Sequence, residues 1–179
     1  LQSEPLTSKL RIGDSLASGE DALNWPLTTG AFIETSAGGR SEVRIGSMAL
    51  HIDAGTALEF ADLDDARIRL RLHRGSIVIV LRNPEHAAET TLETPEGSLR
   101  FETPGSYRAD VAGGTTAFSA YRGRALIETV GLTLQAGERI VLLGGADRRH
   151  LFGQAASDAF RQWSLAREPG PAPGQHVSP

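Results

Sequence analysis

From residue 31 to residue 143, apolar and polar side chains alternate in short runs, and most runs close on a glycine. Glu42-Val-Arg-Ile-Gly46, Ala66-Arg-Ile-Arg-Leu-Arg-Leu-His-Arg-Gly75, Gly97-Ser-Leu-Arg-Phe101 and Gly123-Arg-Ala-Leu-Ile-Glu-Thr129 carry the beat. Successive residues of an extended chain point to opposite faces, so a period of two marks a half-buried strand. Many such runs, spaced by roughly ten residues, predict an all-β domain. Its layers form either an antiparallel β-sandwich or a β-solenoid-like stack of short strands.

The strands expected first are Phe32-Ile33, Val43 to Ile45, Met48 to Ile52, Leu58 to Phe60 and Ile68 to Leu72. Ile77-Val-Ile-Val-Leu81 is apolar at five consecutive positions, the pattern of a strand buried on both faces, and belongs at the centre of its sheet. Arg82 to Glu89 is the longest polar interruption and reads as a surface loop. Strands resume at Thr90 to Glu93, Ser98 to Phe101, Tyr107 to Val111, Thr116 to Tyr121, Ala125 to Thr129, Leu132 to Leu134 and Arg139 to Leu143. Glycines 97, 105, 113, 114, 123, 131 and 137 mark corners where a positive φ is cheap only for glycine. Phe60, Phe101 and Tyr107 are the large side chains expected inside.

The two ends read differently. Residues 1–9 are polar, carry Pro5 and form a loose lead-in to a β domain over 10–153, with a first strand at Leu10-Arg-Ile12. Pro26 biases Trp25 away from the helical region, so the indole is expected to cap one end of the core. After Ser157 the period changes. Ser157 or Asp158 can cap a helix in which Phe160 and Trp163 share one face, giving a short helix within 154–167 that packs on the β body. Residues 168–179, opening on Glu168-Pro-Gly-Pro-Ala-Pro-Gly174, cannot build a core and read as a tail or linker.

Composition narrows the classes. A chain of 179 residues suits one domain and buries roughly two thirds of its unfolded surface or more. Aromatics make up only 6%, so Leu, Ile, Val and Ala must fill thin layers. There is no cysteine, which rules out disulfides and thiolate chemistry and is compatible with an oxidising compartment. A net charge of −4 argues against general nucleic-acid binding. No run approaches the roughly 18 apolar residues of a membrane-spanning helix. The chain opens on Leu1 and not on Met, as after removal of a leader or trimming of the chain end.

Candidate chemistry is sparse. There is no Gly-x-Ser-x-Gly, no P-loop and no dinucleotide fingerprint, and no cofactor is expected. The five histidines lack metal-ligand spacing. His51 and His73 could meet across strands, but no third ligand is suggested, so no metal is expected. Asp62-Leu-Asp-Asp65 reads as a turn in which Asp side chains bond the backbone. Glu59, Glu93, Glu102 and Glu128 lie on or beside strands, yet no two are set at a catalytic separation. Arg67, Arg69 and Arg71 share one strand face, and His73 continues it. That row is either a ladder for an anionic partner or a solvated face paired with Glu59 and the Asp62–Asp65 turn.

Pro26-Leu-Thr-Thr-Gly30, Ala37-Gly-Gly-Arg-Ser-Glu-Val-Arg-Ile-Gly46 and Leu50-His-Ile-Asp-Ala-Gly-Thr-Ala-Leu-Glu-Phe60 together resemble a FecR-type domain. Leu72 to Ile79, Tyr121 to Ala125 and Leu134 to Glu138 are similar to its later strand and hairpin elements. Phe101-Glu-Thr-Pro-Gly-Ser-Tyr-Arg-Ala-Asp-Val111 resembles the Pro-Gly-x-Tyr-Arg-x-Asp-Val element of an exported branch, and Phe160 to Arg167 its closing aromatic helix. Pro104-Gly-Ser-Tyr107 stands where the signalling regulators of the family carry Gly-Thr-x-Phe. The resemblance implies an exported all-β domain on the periplasmic side of a Gram-negative envelope, its signal peptide removed, in a family of signal-relaying regulators without shared catalytic residues. The expectation is a non-enzymatic domain that binds a protein partner or an envelope polymer through exposed β-surface or an edge, with Arg67, Arg69, Arg71 and His73 as the candidate patch. The alternatives are a carbohydrate-binding or cell-wall-processing module, and a subunit that self-assembles edge to edge.

Overall fold

The computed structural model describes residues 2–3, 8–12, 15–18, 28–145 and 149–168, the side chains from residue 28 onward. The strands are β1 (Gln2–Ser3), β2 (Ser8–Ile12), β3 (Ser15–Ser18), β4 (Phe32–Thr35), β5 (Ser41–Ile45), β6 (Met48–Ile52), β7 (Ala57–Leu63) and β8 (Ile68–Leu81). After helix α1 (Pro84–Glu89) come β9 (Thr90–Glu93), β10 (Ser98–Phe101), β11 (Gly105–Ala112), β12 (Thr115–Arg122), β13 (Arg124–Ile127), β14 (Leu132–Gln135), β15 (Glu138–Leu143) and β16 (His150–Gln154). Helix α2 (Ala159–Arg167) ends the described chain. The fold is all-β as the pattern predicts, a sheet curled on itself into a sandwich and closed by a short C-terminal helix.

Strand β8 makes both layers. Its first half lies in an open sheet, in the order β3-β2-β4-β7-β8-β9-β10-β13-β14. Its second half lies in a helix-covered sheet, in the order β1-β5-β6-β8-β11-β12-β15-β16. Fourteen residues of straight strand would span about 46 Å. The chain nevertheless returns from Leu81 to pair Thr90 with Ile68, partly through a six-residue helix only about 9 Å long. The strand must therefore coil, and Gly75 is where it does so, at φ +90°. A Cβ there would lie 2.5 Å from Thr56 Cα. Thr56 locks the bend: the Ser76 N–H donates to Thr56 Oγ1 at 3.0 Å, and the Thr56 N–H donates to Thr35 Oγ1 at 2.8 Å. The run that the sequence suggests ends at Gly75 in fact continues through it.

Three other readings are corrected. Arg82 to Glu89 is not all loop, because Asn83 caps α1, its Oδ1 accepting from the Glu85 N–H at 2.8 Å, and Pro84 opens the helix. Ala87 is buried in the core, so α1 plugs the sandwich while carrying the parallel crossover from β8 to β9. Gly97 and Gly105 are fixed by space and not by positive φ: a Cβ would sit 2.6 Å from Leu142 Cδ1 at the first and 2.7 Å from the Arg122 carbonyl carbon at the second. Finally, β3 and β16 are strands where none was expected. Gln2–Ser3, within the segment read as a lead-in, pairs with Glu42 and Ser41. Trp25 lies outside the described residues.

The core lies between the sheets. Ile33, Leu58, Phe60, Leu70 and Leu72 face Leu50, Ile52, Ile77, Ile79, Tyr107, Phe118 and Ile140. Phe101 and Tyr107 pack with ring centroids 4.8 Å apart. The Tyr107 hydroxyl donates to the Thr103 carbonyl at 2.7 Å, with the Arg124 carbonyl at 3.0 Å. This pins the entry to β11, so Tyr107, Ala109 and Val111 point inward while Ser106, Arg108 and Asp110 point outward.

Candidate functional site

Each sheet has an outer face, and the two are built from the same residue types. On the open sheet, β8 alternates as predicted: Ile68, Leu70 and Leu72 are buried, and Arg69, Arg71 and His73 point out. Arg69 Nη2 lies 2.9 Å from Asp62 Oδ2. Arg71 is held between Glu93 (Nη2 to Oε2, 3.1 Å) and Glu59 (Nη1 to Oε2, 3.5 Å). His73 Nε2 lies 2.9 Å from Glu59 Oε1, and its ring packs 5.5 Å from Phe32. Arg67 sits in the β7–β8 turn, where Asp64 Oδ1 accepts from the N–H groups of Ala66 and Arg67 at 2.8 Å each. Arg69, Arg71 and His73 thus share one face and already carry carboxylate partners, with exposed Arg67 in the turn that precedes them. His51 is on the other sheet, so the two histidines do not meet.

The outer face of the helix-covered sheet is closed by α2. Phe160 packs on Ala49, Val78 and Val80, with Trp163 and Tyr121 at the margin, and Phe160 and Trp163 stack at 6.1 Å. Asp158 caps the helix, its Oδ1 accepting from the Arg161 N–H at 2.9 Å. The same carboxylate receives both Nη atoms of Arg108, at 2.7 and 2.8 Å, while Arg108 Nε donates to Asp110 at 3.0 Å. The Arg108 side chain is only 7% exposed. Burial alone would lower its pKa; the Asp158 hydrogen bonds and the Asp110 charge outweigh that and raise it. Those bonds hold the Asp158 carboxyl down at about 2.

At the far end of α2, Arg161 Nη1 lies 2.5 Å from Glu168 Oε1, and its guanidinium sits 3.8 Å over the Tyr121 ring. The Ser106 hydroxyl donates to Glu168 Oε1 at 2.9 Å, and Arg122 reaches Oε2 at 2.9 Å. Burial opposes ionisation of Glu168, but hydrogen bonds from Arg161 and Ser106 bring its pKa below the ordinary value. Between these clusters, His51 Nδ1 and Ser164 Oγ share a hydrogen bond of 2.5 Å. Both residues are fully buried, and His51 Nε2 has no hydrogen-bond partner among the described residues. Burial lowers the His51 pKa. A serine–histidine pair without an orienting carboxylate or a path for substrate is a packing contact, not a nucleophile.

A groove of about 660 Å³ lies where the β9–β10, β11–β12 and β13–β14 turns meet the end of β15. Glu93, Thr94, Glu96, Ser98, Thr129 and Arg149 supply its polar lining, and no aromatic ring is among its described lining residues. Among the described residues, no group of three or more His, Asp or Glu side chains could hold a metal ion. No described helix is long and apolar enough to cross a membrane. Glu59 and Glu93, two of the four glutamates considered for a carboxylate pair, are bridged by Arg71 on an open face. The sequence pattern reads the aromatic face of α2 but not its polar partners, which lie as much as 113 positions apart.

The architecture defines a mostly-β domain of a kind already seen in solved structures. No family model matches the chain, and no curated protein does. Two crystal structures of a candidate anti-sigma factor from Parabacteroides distasonis ATCC 8503, at 2.50 and 1.65 Å resolution, share the fold. Each superposes with a TM-score of 0.60 over 74% of this chain, at 15% and 14% identity. The match spans 63% and 64% of those chains, somewhat less than two thirds of their length. At such identity the likeness establishes the fold alone.

Proposed function

We propose that the chain is a non-enzymatic, exported binding and signal-relay domain of the bacterial envelope, of the FecR type, that receives a protein partner on exposed β-surface. The observation that carries this reading is the inequality of the two outer faces. One is sealed by α2, while the other presents Arg67, Arg69, Arg71 and His73, interleaved with Glu59, Asp62 and Glu93, to solvent. Exposed guanidiniums that already sit between carboxylates can exchange them for the carboxylates of a partner at little net cost. The fold shared with a candidate anti-sigma factor supports a role in signalling, and the FecR-like order of motifs supports a periplasmic location. Without an aromatic platform in the groove, the protein-partner reading is favoured over a carbohydrate module.

The test is affinity capture from envelope extract with the chain and with its R67S/R69S/R71S variant, compared by quantitative mass spectrometry. Partners on this face should fall at least tenfold in the variant, with thermal unfolding unchanged within a few degrees. Equal capture by both proteins removes the patch from the binding surface.

A further inference from the structure

Strand β16 is unlike every other strand with described side chains: all five residues, His150-Leu-Phe-Gly-Gln154, are exposed. Among the described residues it pairs only with β15, and it ends the helix-covered sheet. Leu151 is 56% and Phe152 67% exposed, two of the three large hydrophobic side chains left open among the described residues. Single exposed hydrophobes are ordinary; adjacent ones on a free edge are not. Natural edges are commonly guarded by Lys, Pro or inward-pointing charge, and β16 carries none of these.

The register says which groups are available. The Leu143 N–H donates to the Arg149 carbonyl and the Ala155 N–H donates to the Gly137 carbonyl. Alternation along an antiparallel ladder then turns the backbone groups of Arg149, Leu151, Gly153 and Ala155 toward β15. Those of His150, Phe152 and Gln154 face outward and find no strand among the described residues. From this we infer that β16 is a self-association edge, and that its occupant is β16 of a second copy of this chain, antiparallel about a twofold axis at Phe152.

Three features select a copy over an unrelated strand. First, the strand contains no Asp, Glu, Lys or Arg, and the register sets His150 against Gln154 of the copy and not against another His150, so the pairing opposes no like charges. Second, the twofold sets Leu151 against Gly153 of the copy, and the space above Gly153 is open, with nothing nearer to an added Cβ than the Arg139 carbonyl oxygen at 4.0 Å. Third, the three outward residues of each copy meet one another in register, His150 against Gln154 and Phe152 against Phe152, satisfying all their outward N–H and C=O groups. The Phe152 rings lie on the same face as Ile140, and pairing would set them side by side. A five-residue edge with two apolar anchors falls below a standard interface of about 1,600 Å², so the dimer should be weak and concentration-dependent.

Sedimentation velocity from about 1 to 500 μM should move the chain from 19.1 kDa toward twice that mass. Phe152→Glu should weaken the association at least tenfold. Gly153→Val, which a strand tolerates and the monomer has room for, should do the same by filling the space Leu151 needs. Because the chain has no cysteine, register can be read directly. A mixture of His150→Cys and Gln154→Cys proteins should form a disulfide dimer rapidly, and neither alone should. A monomer at every concentration overturns the proposal, and so does dimerisation that both variants leave intact or cross-linking without the predicted register. The ladder on the open sheet takes no part, so either result leaves the partner-capture experiment standing.

Discussion

The two outer faces of this sandwich use one vocabulary, arginine against aspartate or glutamate with a histidine nearby, and reach opposite ends. On the open sheet, Arg69 and Arg71 pair with Asp62, Glu59 and Glu93 while 37% and 39% of each arginine side chain stays in solvent. Beneath α2, Arg108 and Arg161 pair with Asp158, Asp110 and Glu168 with nine tenths or more of each arginine side chain buried. Exposed pairs typically contribute about 0–1 kcal/mol, because water and salt compete for both partners. A buried guanidinium stripped of its partner costs about 3–5 kcal/mol, since nothing repays its desolvation. The difference separates a surface that can trade partners from one that fixes an element in place. It gives physical content to the Arg108-x-Asp110 portion of the motif on β11, which seats a helix 50 positions away.

The most severe way to break this arrangement is to remove the bend that puts the two faces on opposite sides. Gly75→Val forces a β-branched residue into φ +90° and its Cβ into the backbone of Thr56, which cannot rotate away. Urea denaturation should show a loss of more than about 4 kcal/mol, or no cooperative transition at all. A transition near wild type would mean that β8 changes sheets without needing glycine there.

Next in size is Arg108→Ala. It removes four hydrogen bonds to Asp158 and Asp110 together with the guanidinium lying 5.1 Å over Phe160. Asp158 keeps much of its solvent contact, so part of the loss is recovered by water. The expected cost is about 3 kcal/mol in the same measurement, with α2 loosened first and seen as increased Trp163 solvent exposure in quenching. A cost no larger than that of an arginine on the open sheet would erase the distinction between the faces.

How much of this was legible in the residues follows from the range of each contact. Alternation over Ile68 to His73 and the apolar run Ile77 to Leu81 are local, and the two halves of β8 are where the pattern puts them. The aromatic spacing of Phe160 and Trp163 marks α2 for the same reason, and Asp158 proves to be its cap. Gly75 was visible as a breaker but not as a hinge, because a positive φ inside a strand looks in sequence like the end of one. Asn83-Pro84 carried cap-and-first-turn chemistry, but six residues are too few for a helical period to emerge. Strand β16 was invisible for the reason that makes it interesting: exposed on both faces, it has no burial to impose alternation. The pairs Arg108–Asp158 and His51–Ser164 join residues 50 and 113 apart, which no local pattern encodes.

Acid should act on the covered face in two steps. The His51 pKa is lowered by burial, so the unfolded chain binds its proton more readily; stability is full above about pH 6.5 and declines as pH falls below it. The groups facing His51 are Glu42 and Arg44 on β5 and Arg167 and Glu168 at the end of α2, and the two glutamates moderate the effect. Asp158, held at about 2 chiefly by Arg108, contributes stability present above its ordinary 3.8 and lost as pH falls toward 2. With about half of its side chain in water, that contribution should stay within about 1 kcal/mol. His51→Gln should flatten the first limb of a stability–pH profile and Asp158→Asn the second. A profile unchanged by both variants would mean that neither His51 nor Asp158 couples the seating of α2 to pH.

The smallest expected effect is also the one on which the partner-trading reading of the open sheet turns. Arg71 donates to Glu93 Oε2 from Nε at 3.2 Å and from Nη2 at 3.1 Å, with Glu59 on its other side. Geometry alone would suggest a strong forked pair. A double-mutant cycle on Arg71→Ala and Glu93→Ala should nevertheless return a coupling below about 0.5 kcal/mol, reduced further at 1 M salt. Glu59 substitutes for Glu93 when the latter is removed, and both side chains must be immobilised to keep the fork. A coupling above about 2 kcal/mol would bind this face to its own carboxylates as tightly as the seam under α2. The guanidiniums would then be closed to an incoming carboxylate, since each would have to give up more than an exposed contact could return.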